Sequence, residues 1–463
     1  MEHISLSSRI LTLITALVVM LSPATVLAQH RDTIGPVSGA ASDAPIASSS
    51  LPTSRTSTSN PAAKLIGEPR AVYGMQGVLV ETLEGETVAT QAADALFNPA
   101  SGIKLATALV ALRTFGPRHR FTTGVWTDGT LVSSTGTLHG NLYISGRDPS
   151  FHYEHAVMIS RQLNNLGINT ITGDLVIPVG FTMNFSWSAK RSGDQLYESL
   201  DSTLRSAAAT RAWLDDRHLV GDRDSQTVPT VAIMGNVKID SVAPGARLLL
   251  AHKSSQLSDI LKVLLCYSNN FMAQRIGDSV GGTQSVQQQL ISQLELNEGE
   301  LSLSSLSGLG VNRASPRAMM RILRALGAEM EKHNLTLADI MPVAGIDPGT
   351  LEERFVDRPW RGSVIAKTGT LIRTDRGVSS LIGQMRTATG ESLLFVILNQ
   401  RGNVLRFREN QDYLVMQIQG IRGGPQPFDY QPKPLAMILA DRQSVLVSAT
   451  EEYEPDHVPS ALP

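Results

Sequence analysis

Apolar and polar positions follow different periods along this chain, and each change of period marks an element. After Arg9, residues 10–21 are apolar except for Thr12 and Thr15, and Ser22-Pro23 ends the run before the small-residue pattern Val26-Leu27-Ala28. This reads as an export signal over residues 1–28, cut after Ala28. The run falls short of the ~20 apolar residues a span needs, so no stable membrane span is expected. Residues 29–65 are rich in Ser, Thr, Pro and Ala with no apolar period, the pattern of a flexible linker.

Order is expected from about Val72, with β-prone runs at 77–83 and 86–90 joined at Glu84-Gly85 as a hairpin. Asn98-Pro99-Ala100-Ser101 then reads as a helix start, Asn98 capping and Pro99 in the first helical position, with Ile103, Ala106, Val110 and Leu112 at approximate helical spacing. Over 121–249 the pattern turns to short β-prone runs such as 138–145 and 173–178, which predicts an inserted β-rich domain. Helical spacing returns at Leu257, Ile260, Leu261 and Leu264, which places Ser268 at or just past a helix end. A further helix is expected over 316–326, then strands at 363–366, 378–385 and 393–398 in antiparallel succession. Residues 66–120 and 250–424 thus form one discontinuous domain of α/β (α+β) class, an antiparallel sheet flanked by helices. Residues 425–463, punctuated by proline, form a tail with no assigned structure.

Composition narrows the function. A chain of 463 residues with 42% hydrophobic content can build real cores, and a net charge of −2 with scattered signs gives no footprint for nucleic acid. The single cysteine, Cys266, rules out an internal disulfide and reads as a small buried hydrophobe. His152 and His155 are close in sequence but lack a third ligand, so no metal and no cofactor is called for.

The candidate chemistry lies in three ordered motifs: Ser101-Gly102-Ile103-Lys104, Ser268-Asn269-Asn270 and Lys367-Thr368-Gly369. A serine hydroxyl is a weak nucleophile and needs a base within reach; three residues on along a helix, Lys104 can be that base if its amine is at least partly neutral. Burial or a second cation would make it so, and Lys367 is that cation. Ser268 would relay a proton to the departing amine, and Asn270 would hold the acyl side of the substrate. The third motif follows a β-run, where a peptide can lie along an exposed edge; Gly369 would allow its close approach and Thr368 would meet a terminal carboxylate. The N–H groups of Ser101 and Thr370 are the natural oxyanion pair.

This trio is shared by serine β-lactamases and penicillin-binding proteins. The stretch 97–104 with Phe115-Gly116-Pro117-Arg118 resembles the active-site helix of low-molecular-mass class C penicillin-binding proteins, the D-alanyl-D-alanine carboxypeptidase/endopeptidases. Gly140-Asn141-Leu142-Tyr143, residues 146–150 and 171–175 resemble segments of that family's inserted domain, and 342–345, 349–351 and 366–371 resemble those around its third motif. The resemblance implies a penicillin-binding-protein/serine β-lactamase-like fold and an acyl-enzyme on Ser101. It also implies peptidoglycan stem peptides as substrates, β-lactams as inhibitors and a place in the periplasm or cell envelope. The chain departs from the family in a shorter insert, in Ser305-Leu306-Ser307-Gly308-Leu309 where an acidic residue is usual, and in the charged turn Arg373-Thr374-Asp375-Arg376. A serine β-lactamase and a non-catalytic sensor are the competing readings. The first would need a deacylating base, often in an E-x-x-L-N loop, and Leu294-Glu295-Leu296-Asn297 has the wrong spacing for it.

Overall fold

In a computed structural model, residues 73–219, 227–439 and 443–445 are described. The expected export signal and linker, and most of the tail beyond 439, lie outside them.

Strands β1 (Met75–Thr82) and β2 (Thr87–Gln91) form the expected hairpin, and a 3-10 turn, Ala100–Ile103, leads into α1 (Lys104–Phe115). The next stretch contains β3 (Thr122–Thr127), β4 (Thr130–Val132), β5 (Thr137–His139), β6 (Leu142–Ser145), α2 (Tyr153–Asn165), β7 (Thr170–Ile171), β8 (Leu175–Ile177), α3 (Ala189–Leu200), α4 (Ala207–Leu219), β9 (Ala232–Ile233), β10 (Val237–Ile239) and β11 (Arg247–Lys253). Three helices, α5 (Leu257–Tyr267), α6 (Asn270–Ser279) and α7 (Gly282–Gln293), precede the short strands β12 (Leu301–Ser302) and β13 (Arg313–Ala314) and the long α8 (Pro316–Glu331). Strands β14 (Val364–Leu371), β15 (Val378–Arg386) and β16 (Ser392–Gln400) follow, then α9 (Val404–Ile421), α10 (Leu435–Ile438) and β17 (Gln443–Val445).

The first and last parts of the chain meet in one antiparallel sheet ordered β14-β15-β16-β1-β2, so β14 is an edge strand. The two faces of this sheet carry separate cores. Ile365, Ile382, Val396 and Leu398 pack with α1, α5 and α8, while Val364, Ala366, Leu381, Phe395 and Ile397 pack with Val415 and Ile418 of α9. The period of two along each strand produces this division.

Helix α1 is buried on every side from Lys104 through Leu112, not on one stripe. A helix apolar all round belongs in the middle of a core, and α1 sits there, in one cluster with Leu261, Ile276, Val286 and Leu323.

The insert contains helices that the β-rich reading did not name. It holds a mixed sheet, β10-β8-β6-β3-β11-β17, a second sheet, β4-β5-β7-β9, and three helices. Helix α2 buries Ala156, Val157, Ile159 and Leu163 against these strands, a stripe short enough to be masked by the β-prone runs around it. The tail also acquires structure: Phe428 N–H donates to Gly362 C=O, and β17 pairs with β11 at Ala251↔Val445.

Candidate active site

The first two motifs occupy junctions between elements, and the third lies inside a strand. Asn98 Oδ1 accepts from Ala100 N–H at 3.0 Å, as an Asx turn that starts the helical segment, and Ser101 follows in the 3-10 turn with Lys104 opening α1. Ser268-Asn269-Asn270 joins two helices. Ser268 ends α5 in the left-handed region (φ 56°), a strained conformation for a residue with a side chain, and Asn269 Oδ1 caps α6 through Met272 N–H. Asn270 is then the first residue of α6. Lys367-Thr368-Gly369-Thr370 does not follow a strand, as the sequence suggested, but lies inside β14, which starts at Val364 and continues to Leu371 because the motif residues keep pairing with β15.

The three motifs converge. Lys104 Nζ is 2.9 Å from Ser101 Oγ and 2.7 Å from Asn270 Oδ1, and it also contacts the Ser307 carbonyl. Lys367 Nζ donates to Ser268 Oγ at 3.0 Å and to the Thr368 carbonyl at 2.6 Å. Ser101, Ser268, Asn270, Thr368 and Thr370 line one cavity of about 720 Å³.

Three lysines in the described residues are fully buried, and their partners separate them. Lys262 forms an ion pair with Asp347 at 2.7 Å, whereas Lys104 and Lys367 have only neutral oxygen partners. An unpaired buried ammonium is costly, so the group sheds its proton more readily. Burial, and then the charge of Lys367, hold Lys104 well below the ordinary lysine range. Burial brings Lys367 down to about 7. A neutral Lys104 amine has two N–H groups for Asn270 Oδ1 and the Ser307 carbonyl, which leaves its lone pair facing the Ser101 hydroxyl.

The edge strand supplies the next feature. Ala366 N–H donates to the Pro342 carbonyl, away from β15, and amides two residues apart face the same way. The N–H groups of Thr368 and Thr370 therefore face the open edge. Against Gly369 lies the turn that carries Ser101: an added Cβ would stand 2.7 Å from the Pro99 carbonyl and 3.0 Å from Ser101 N. The glycine thus allows the strand to approach Ser101, and the Ser380 hydroxyl adds a tie to the Pro99 carbonyl at 2.8 Å.

Several contributors had no clear sequence signal. The Ser307 carbonyl comes from the Ser305–Leu309 departure, whose missing acidic side chain leaves this backbone contact in place. The charged turn 373–376 delivers Asp375 to Asn98 Nδ2 at 2.8 Å and to the Arg313 guanidinium at 2.8 and 2.9 Å, so the β14–β15 turn is bolted to the residue that starts the nucleophile segment. Glu352, Arg354, Arg408 and Asp412 also line the cavity. Cys266 is buried, with its thiol pushed up to about 12 by desolvation, and its carbonyl receives Thr350 N–H. His152 Nδ1 lies 3.0 Å from Asn184 Oδ1, and His155 Nε2 lies 2.9 Å from the Leu439 carbonyl.

Comparisons with known proteins agree with this geometry. A curated D-alanyl-D-alanine carboxypeptidase from Actinomadura sp. (strain R39) is 25% identical over 440 residues, covering 71% of this chain and 78% of that protein. Among solved structures, a predatory peptidoglycan endopeptidase from Bdellovibrio bacteriovorus is similar with a TM-score of 0.65 at 20% identity, over 79% of this chain and 96% of that one. Penicillin-binding protein 4 from Haemophilus influenzae is similar with a TM-score of 0.56 at 21% identity, over 78% and 98%. The likeness to these two structures establishes the penicillin-binding fold. Residues 61–190 and 224–417 match the D-Ala-D-Ala carboxypeptidase 3 (S13) family, and the chain belongs to that family.

Proposed function

We propose that the chain cleaves the D-alanyl-D-alanine terminus of peptidoglycan stem peptides, and D,D-crosslinks of the same stereochemistry, through an acyl-enzyme on Ser101. The observation that carries this is a buried Lys104 amine, with only neutral partners, 2.9 Å from the Ser101 hydroxyl. Lys104 takes the Ser101 proton as the oxygen attacks the penultimate D-alanyl carbonyl. The Ser101 and Thr370 N–H groups hold the resulting oxyanion, an arrangement supported by the outward-facing amides of β14. Ser268, hydrogen-bonded to Lys367, relays to the departing amine the proton that Lys104 took, which returns Lys104 to the neutral amine, and Asn270 orients the acyl side while steadying Lys104. Water then attacks the ester with Lys104 again as base.

The Thr368 hydroxyl, Lys367 and the open edge favour donors with a carboxylate next to the scissile bond. A terminal D-alanine and a D-centre crosslink share that feature. The signal read in residues 1–28 and the family's cell-wall chemistry support action outside the cytoplasm, in the periplasm or cell envelope. No helix among the described residues is long and apolar enough to cross a membrane.

The test combines adduct and product. Benzylpenicillin should add its mass to Ser101 and to no other residue, Ser101→Ala should take none, and muropeptides should release D-alanine together with split crosslinks. Rapid penicillin hydrolysis without muropeptide products would mark a β-lactamase instead, and an adduct elsewhere would remove the assignment.

A further inference from the structure

Resting on that reading of Ser101, we propose that Arg408 of α9 binds the substrate carboxylate on the leaving-group side, as a specificity-determining partner of Thr370. The placement comes first. Arg408 lines the same cavity as Ser101, Thr368 and Thr370, and its Nη2 donates to Thr370 Oγ1 at 2.9 Å. Thr368 and Thr370, two residues apart on β14, put their side chains on the face that packs against α9. The guanidinium therefore meets the Thr370 hydroxyl on the face of the edge strand that also carries Thr368.

Its neighbours are already committed. Arg354 gives Nε to Asp412 at 2.9 Å and Nη2 to Gln411 at 3.3 Å, and Arg406 pairs with Glu409 at 3.2 Å. Among the described residues, Arg408 has no carboxylate at ion-pairing distance, and its side chain's hydrogen bond is to a neutral hydroxyl. Partial desolvation and then the like charge of Arg354 lower its pKa, and the charge of Asp412 offsets them only in part, a setting that an incoming anion relieves. The exposed side of its planar fork retains donors that match the two oxygens of a carboxylate.

A charge is also needed here. Lys367, the cation of the third motif, is directed at Ser268 and the Thr368 carbonyl, and with its amine brought down to about 7 it is only partly charged at neutral pH. A guanidinium keeps its charge throughout that range. Lys367 thus serves proton transfer, while Arg408 supplies the permanent positive charge that separates a free D-alanine terminus from a neutral leaving group.

Two thioesters with one acyl half test this: a peptidyl-D-alanyl thioglycolate, whose leaving group carries a carboxylate, and the ethyl thioester, whose leaving group does not. The readout is the ratio of kcat/KM on the first to that on the second. For Arg408→Gln, which can still donate to Thr370 but carries no charge, the ratio should fall about thirtyfold, the scale of one lost charge-assisted contact, with the loss mainly in KM. Arg408→Lys should recover part of the ratio. If Arg408→Gln keeps the wild-type ratio, or both substrates lose equally, Arg408 only holds Thr370 and the proposal is overturned. If wild type turns over neither thioester, the Ser101 reading fails and this proposal falls with it.

Discussion

Replacing Gly308 by alanine should disable the nucleophile while leaving the fold standing. Gly308 has φ +86°, and an added Cβ would lie 2.1 Å from the Ala100 carbonyl oxygen and 2.7 Å from Ser101 N. A carbon–oxygen contact settles at about 3.3 Å or more, so the loop and the nucleophile turn must part by roughly 1 Å. The residue before it, Ser307, provides the carbonyl that holds Lys104. That displacement therefore separates the base from its anchor and moves Ser101 against the strand edge. A misplacement of about 1 Å costs on the order of 100-fold in rate. The left-handed backbone adds about 1–2 kcal/mol of strain, which lowers stability but not below folding. Gly299→Ala is the control: its φ is +84° and nothing lies within 4 Å of an added Cβ, so it shares the strain without the collision. The assay is the rate of Ser101 acylation by benzylpenicillin, read by intact mass, beside thermal melting of the same samples. Gly308→Ala should acylate about 100-fold more slowly and Gly299→Ala within a few-fold of wild type, both melting a few degrees lower. Acylation of Gly308→Ala within threefold of wild type would refute the argument.

Two further outcomes follow from the buried charges. Acylation should rise with pH through a value well below the roughly 10.4 of a free lysine, because only the neutral Lys104 amine accepts the proton, and fall again near 7 as Lys367 discharges. Lys104→Arg should abolish acylation and Lys367→Arg should remove the falling limb; pre-steady-state rates from pH 5 to pH 10 would show a single wild-type plateau if neither lysine titrates as argued. Asp375→Ala should lower stability by about 1–3 kcal/mol in urea unfolding, because it removes the carboxylate that pairs with the Arg313 guanidinium and leaves Asn98 Nδ2 with only the Gly310 carbonyl, and slow acylation through the loosened Asn98 turn. Adding Arg313→Ala to that variant should cost little more stability, and full additivity of the two losses would contradict the coupling.

The chemistry was more legible in the sequence than the way it is held. Ser101, Lys104, Ser268, Asn270 and Lys367 meet in space because two motifs sit where one element passes into another and the third lies in an edge strand, and the first two leave local traces: Asn98 ahead of the first and an amphipathic helix ahead of the second; the β-run ahead of the third proved to be the start of the strand that contains it. The helices of the insert left weaker traces. Helix α2 is thirteen residues long and its buried stripe is set among strands of two to four residues, so the period of two dominates any short window. Helix α1 was legible as a helix from its start and from Ile103, Ala106, Val110 and Leu112, but not as a helix buried all round, because that spacing marks one stripe only.

What could not be read locally were contacts made by backbone atoms and by residues distant in sequence. The Ser307 carbonyl carries no side-chain signature, and the loss of an acidic residue at that loop looks like a lost function until the carbonyl is seen on Lys104. Asp375 sits in a turn whose charges resemble an ordinary solvated surface, yet it joins Asn98 across 277 residues. Arg408 lies in a helix that carries charges of both signs, where i,i+4 pairing with Asp412 would be the ordinary expectation. Its neighbours pair without it, Arg406 with Glu409 and Arg354 with Asp412, and the remaining guanidinium meets Thr370 on a strand 38 residues earlier. The same logic applies to the lysines: burial alone does not distinguish Lys262 from Lys104 and Lys367, but Asp347 gives the first a counter-ion and no carboxylate among the described residues pairs with the others. A buried cation with a partner holds the fold, and one without it gives up its proton, which is the property a serine nucleophile needs from its base.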